Sequence, residues 1–182
     1  MLITLSGLPG SGTSTVARMV AADLGLEHLD GGTVFRGLAR ERGMSLADFA
    51  REAEGNDAID RALDDRLTAR AEKGDVLVES RLAGWLVTGA ELDGLRIWIE
   101  CDEVERARRV AGRDHHEPDE ALATNREREA SERLRYQRYY GIDLADRSIY
   151  DLVLDSTSCS PDQLVEQVIA AVRADGATPA VP

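Results

Sequence analysis

The stretch GLPGSGTST, residues 7–15, decides how the rest of the chain is read. It follows LITLS, residues 2–6, a run of apolar and small residues that reads as a buried parallel strand. It precedes VARMVAADLG, and the apolar spacing predicts a helix over about 14–24, ended by Gly25. A glycine-rich turn between a strand and a helix is the setting of a phosphate-binding loop. Gly7, Gly10 and Gly12 let the backbone take positive φ and turn its N–H groups inward. Together with the helix N-terminus those donors make an anion nest. The candidate phosphate-binding set is therefore Gly7, Leu8, Pro9, Gly10, Ser11, Gly12, Thr13, Ser14 and Thr15, with Ser14 placed to ligate Mg²⁺.

Thr13 stands where the GxxxxGK[ST] pattern has its lysine. A lysine about 4 Å from a phosphate charge is worth about 4 kcal/mol at an effective dielectric of 20. That is roughly three powers of ten in rate if it acts mainly in the transition state. An active enzyme must take this charge from another side chain. Of 22 basic residues only Lys73 is a lysine, far downstream at a helix end, so arginine is the expected source.

A chain of 182 residues fits one domain with its own core. The net charge of −12 argues against general nucleic-acid or anionic-membrane binding. High acid content with one lysine suggests a protein kept soluble in concentrated salt; GC-rich codon drift also favours arginine. No apolar run approaches the ~20 residues that span a bilayer, and the N-terminus lacks the basic region of a signal peptide. Cys101 and Cys159 lie far apart, without CxxC spacing, and read as idle thiols of a cytoplasmic protein.

Further strands are expected at 75–79 (DVLVE), 95–100 (LRIWIE) and 151–155 (DLVLD). Helices are expected from Thr33 to Gly43, over 57–73 and 103–113, from about Pro118 to Tyr139, and after Ser160–Pro161. Ser45 and Asp48 resemble a capping box. Alternating strands and helices with apolar strand runs indicate an α/β fold around a parallel sheet. Two helical stretches, 33–73 and 113–147, read as insertions at the carboxyl ends of strands, where such sheets bind ligands. The end of the chain, DGATPAVP, reads as a frayed tail.

Outside the loop, Arg36 could clamp a phosphate with its bidentate fork. Glu79 ends an apolar strand where an acid would hold Mg²⁺ through water, and Arg81 lies just beyond it. Arg128, Glu129, Glu132 and Arg135 form a spaced set in which acids could hold arginines over a transferring phosphoryl group. The plainer reading of that segment is ion pairs on a solvated helix face. Tyr139, Tyr140 and Tyr150 read as core or edge aromatics, and His115 and His116 as exposed loop residues, not metal ligands.

Together, GLPGSGTST, TVFRGLARERGMSLADF, IDRALDDR, ESRLAGW and RYQRYYGIDLADRSIYDLVLDS resemble the archaeal-type cytidylate kinases, a family of nucleoside monophosphate (NMP) kinases. The resemblance covers nearly the whole chain in order, and that family includes members with threonine at the lysine position. It implies a P-loop NTPase fold: a five-stranded parallel core, an NMP-binding insertion at about 33–73 and a lid at about 113–135, within one domain over 1–175. It implies ATP + CMP or dCMP → ADP + CDP or dCDP, with Mg²⁺, by a monomer. Gly10 to Thr15 would bind ATP phosphates, Arg36 and Arg81 the CMP phosphate, and Arg128 and Arg135 would be the lid arginines. Asp60, Arg61 and Asp64 are candidates for reading the base. ESR stands where many relatives have DGR, which bears on the metal role of Glu79. The rival readings are a kinase for AMP, UMP or a small metabolite, a silent nucleotide-binding module, and a nucleic-acid-associated protein.

Overall fold

The computed structural model describes residues 1–115, 117–174 and 176. Five strands, β1 (Leu2–Gly7), β2 (Glu27–Asp30), β3 (Val76–Glu79), β4 (Leu95–Glu100) and β5 (Leu152–Asp155), form one sheet in the order β2-β3-β1-β4-β5. Every pairing is parallel. The helices are α1 (Thr13–Leu24), α2 (Gly31–Glu41), α3 (Leu46–Ala53), α4 (Asp57–Ala71), α5 (Ala83–Gly89), α6 (Glu103–Asp114), α7 (Pro118–Tyr140) and α8 (Pro161–Ala174). This is the expected α/β architecture. Two elements lay outside the sequence reading, β2 and α5. The first is a four-residue edge strand without an apolar run, and the second has seven residues.

Every residue of β1 is buried, which suits the central strand. Ile3 and Leu5 join Leu77, Ile97, Ile99 and Leu154 on the face covered by α1 and α8, through Val16, Val20, Leu164 and Val168. Leu2, Val76 and Val78 point the other way, onto Leu67 and Ala71 of α4 and Ala83 and Val87 of α5. Gly84 has no room for a Cβ, which would lie 2.6 Å from the Tyr150 ring. From β1 the chain passes to β2 and β3 on one side and later to β4 and β5 on the other. The switch point therefore falls at the carboxyl end of β1, where the glycine loop begins.

Helices α2 and α6 follow β2 and β4 at that carboxyl edge, while α4 returns to pack on the sheet. Both expected caps form: Ser45 Oγ accepts from the Asp48 N–H at 3.1 Å, and Ser160 Oγ from the Gln163 N–H at 3.3 Å. Helix α7 is one unbroken rod of 23 residues. It meets α3 and α4 through polar contacts. Arg135 Nη1 donates to both carboxylate oxygens of Asp60, at 2.5 and 2.7 Å. The Tyr139 hydroxyl donates to the carbonyls of Ala53 and Glu54, and that of Tyr140 to Asp64 at 2.6 Å. These two tyrosines thus do more than fill a core edge. Cys101 and Cys159 are free and half-buried, and His115 is exposed. His116 and, apart from Gly176, the expected tail lie outside the described residues. No helix among the described residues is long and apolar enough to cross a membrane.

The α4–α7 seam carries a pH signature. Burial pushes the Asp64 carboxyl up to about 7, helped by the charges of Asp60 and Asp65 and opposed by the Tyr140 hydrogen bond. In the unfolded chain an aspartate titrates near 3.9. The folded state therefore binds this proton more tightly. The stability this group adds is complete below about pH 4 and is lost as pH rises toward 7. Asp64→Asn, which keeps the size and removes the titration, is expected to gain melting temperature relative to the parent as pH goes from 4 to 7. A pH-independent difference between the two would refute this account of the seam.

Candidate active site

The loop after β1 is shaped by glycine. Gly10 and Gly12 have φ of +83° and +89°, a region that side chains disfavour. A Cβ on Gly10 would lie 2.5 Å from the Arg106 carbonyl oxygen, and one on Gly7 would lie 2.7 Å from that of Ile99. The loop is held by its own Ser11 N–H on the Leu8 carbonyl, and by the Ser156 hydroxyl donating to the Ser11 carbonyl at 2.8 Å. Helices α2, α3, α4 and α6 are each capped by a side chain, from Asp30, Ser45, Asn56 and Asp102. Helix α1 has no such cap and no acid in its first turn. Its leading N–H groups are donors left for an anion. The Ser11 hydroxyl, wholly buried beside them, has no partner among the described residues.

Glu79 gathers the polar groups at the start of α1. It ends β3, in register with Leu5 of β1 and Asp30 of β2. One oxygen accepts from Thr13 Oγ1 at 2.9 Å and Ser14 Oγ at 2.6 Å. The other lies 2.9 Å from His28 Nε2. Thr13 is therefore tied to the carboxylate, and its methyl lies against Gly7. Ser14 and Glu79 form the hard-oxygen pair that could hold a Mg²⁺ ion, which takes few protein ligands and leaves positions for phosphate and water.

The arginines divide into distinct groups. Arg81 Nε donates to Glu132 at 2.9 Å and its Nη1 to the Gly7 carbonyl at 2.6 Å. Glu132 also accepts from Arg128 at 2.9 Å. Burial alone would raise the Glu132 carboxyl; the charges of Arg81 and Arg128 outweigh it and hold the group below its ordinary value. Burial likewise opposes the charge on Arg81, and Glu132 more than offsets this. Arg106, on α6, donates to the carbonyls of Pro9 and Cys101 and pairs with Glu129. Arg109 is tied to Ser156 and Glu105, near Gly12. Arg36 is half exposed and bonds Thr33 and Asp30 at the start of α2. Arg61 pairs with Asp57 and lies over the Tyr140 ring.

The expected set on α7 is thus only partly a set. Arg128 and Glu132 pair with each other, four residues apart. Glu129 turns to Arg106 instead, because neighbours in a helix sequence do not share a face. Arg135 is buried on Asp60, whose carboxyl burial holds above its ordinary value. Sequence reasoning missed His28, Arg106, Arg109 and Ser156. The available signal for Arg106 was an arginine within the apolar stripe that Ala107, Val110 and Ala111 form on α6.

The chain is 44% identical to a cytidylate kinase from Halobacterium salinarum, over 98% of this chain and 96% of that one. It is 43% identical to a cytidylate kinase from Pyrococcus horikoshii, over 94% and 88%. Among solved structures, an uncharacterized protein from Eubacterium ventriosum superposes with a TM-score of 0.73 at 15% identity, covering 96% of this chain and 98% of that one. Shikimate kinase from Aquifex aeolicus does so with 0.62 at 16%, covering 97% and 98%. Both share the fold of this chain. Residues 2–158 match the profile of the cytidylate kinase-like family, and with the close relatives this establishes that the chain belongs to it.

Proposed function

We infer that this protein is a cytidylate kinase, moving the terminal phosphoryl group of ATP to CMP or dCMP to give ADP and CDP or dCDP. The observation that carries the reading is the uncapped start of α1, an anion seat with arginines gathered round it. Relatives at this identity and coverage support the choice of acceptor.

The chemistry is positioning and charge neutralisation, with no covalent intermediate on the protein. The N–H groups of Gly10 to Thr15 hold the ATP phosphates. A bound Mg²⁺ would supply positive charge to neutralise the phosphates. Ser14 Oγ would ligate it and Glu79 would hold it through water. The donor set fits, since the two side chains already meet at 2.6 Å. Arg36 and Arg81 align the acceptor phosphate. The segment at about 33–73 receives the acceptor nucleotide, and that at about 113–135 is the lid carrying Arg128 and Arg135. Closure keeps out water, the competing acceptor. Asp60, Arg61 and Asp64 are the candidates for reading the base. A carboxylate accepts from the amino group of cytosine, where uracil presents an acceptor of its own. The protein works as a cytoplasmic monomer without nucleic-acid or membrane partners.

The test is ADP release from ATP–Mg²⁺ with CMP, dCMP, UMP, AMP and GMP in turn, at low and at molar salt. Turnover is expected to peak on CMP or dCMP. A peak on AMP or UMP would move the assignment to another acceptor, and ATP binding without turnover on any acceptor would make the protein a silent module. Arg36→Ala is expected to raise KM for CMP about tenfold or more, roughly the loss of one charge-assisted contact, with KM for ATP little changed. An unchanged KM for CMP would remove Arg36 from the acceptor site.

A further inference from the structure

Thr13 leaves open which group supplies the missing positive charge. Three guanidinium groups among the described residues donate to carbonyls of residues 7–15: Arg81 to Gly7, Arg106 to Pro9, and Arg18, an exposed residue within α1 itself, to Ser14. They differ in placement. The backbone of Arg106 presses against Gly10, and its side chain, 5% exposed, is also held by the Cys101 carbonyl and Glu129. It fastens the loop to α6. Arg81 comes from the β3–α5 connection, is 17% exposed, and its Nη2 makes no hydrogen bond to the described residues.

Residue 13 and Arg81 converge on Gly7. A Cβ on Gly7 would lie 2.7 Å from Thr13 Cγ2, and the Gly7 carbonyl is the acceptor for Arg81 Nη1. A lysine at 13 would start beside Gly7, the residue whose carbonyl Arg81 also contacts, and would compete for the space there. The short threonine, turned back onto Glu79, leaves that region to the arginine. We propose that Arg81 stands in for the missing lysine on the ATP phosphates, that threonine at 13 makes the room for it, and that Glu132 holds its charge until phosphate arrives. The proposal rests on the kinase reading and adds to it a donor-side role for Arg81. Glu132 suits its part: it is 7% exposed, ionised, and has Arg128 as a second partner when Arg81 turns to phosphate.

The test is a cycle of Thr13→Lys, Arg81→Met and the double variant, with Arg81→Lys as a charge-keeping check on folding. ATP–Mg²⁺ affinity is measured by calorimetry without acceptor, and kcat is measured with CMP. Arg81→Met is expected to lower kcat by about 10³-fold and ATP affinity at least tenfold. Adding Thr13→Lys to it is expected to recover at least tenfold in both. Thr13→Lys alone is expected to slow the enzyme, since two cations then contend for one place. The proposal is overturned if the double variant is folded yet no better than Arg81→Met. It is also overturned if the loss in Arg81→Met lies only in KM for CMP, the mark of an acceptor clamp. If the parent turned over no acceptor, the kinase reading would fall, and ATP affinity across the cycle would still decide the proposal: recovery supports it and four equal affinities reject it.

Discussion

A buried guanidinium needs a carboxylate beside it, and this site contains three. Arg81, Arg106 and Arg135 are largely out of water, and each is paired, with Glu132, Glu129 and Asp60. Removing one partner of such a pair typically costs about 3–5 kcal/mol, since the remaining charge stays buried. That requirement places α7. Two of its glutamates, one turn apart, bind arginines that reach the glycine loop, while Arg135 farther along the same helix binds α4. The helix therefore spans the region between the glycine loop and α4.

The seam is polar where a rigid core would be apolar. Tyr139, Tyr140 and Arg135 meet α3 and α4 through hydrogen bonds and an ion pair. The sheet below is held by aliphatic packing on both faces. Polar pairs can exchange partners with an anionic substrate; packed aliphatic side chains cannot. The loop thus stands on an aliphatically packed sheet, while α7 meets α3 and α4 through charged and polar groups. Arginine suits that seam, because its planar fork binds a carboxylate or a phosphate with the same donors.

Much of this was legible in the sequence. The glycine spacing of residues 7–15, the apolar runs of β1, β3 and β4 and the switch to helical periodicity after each strand pointed to a P-loop α/β fold. The structure brings Thr13, Ser14 and Glu79 together and sets Arg81 beside Gly7, as their places at strand ends suggested. Short and polar elements escaped. The edge strand β2 has neither length nor an apolar run, and His28 was hidden with it. Partner choice escaped as well: spacing shows that residues share a helix face, but whether Glu129 serves Arg128 or Arg106 depends on which helix packs opposite. The exposure of Arg36 and the burial of Arg135 were likewise set by tertiary contacts.

On the proposed function, the uncapped loop and its arginines form a seat for phosphate, with glutamates holding the arginines until substrate arrives. The most direct measurement is a crystal structure with a bisubstrate analogue in which adenosine and cytidine are joined by five phosphates. Phosphates are expected on the N–H groups of Gly10 to Thr15, with a phosphate oxygen about 3 Å from an Arg81 nitrogen. Phosphates lying away from the loop, with Arg81 still on Gly7 and Glu132 alone, would contradict it.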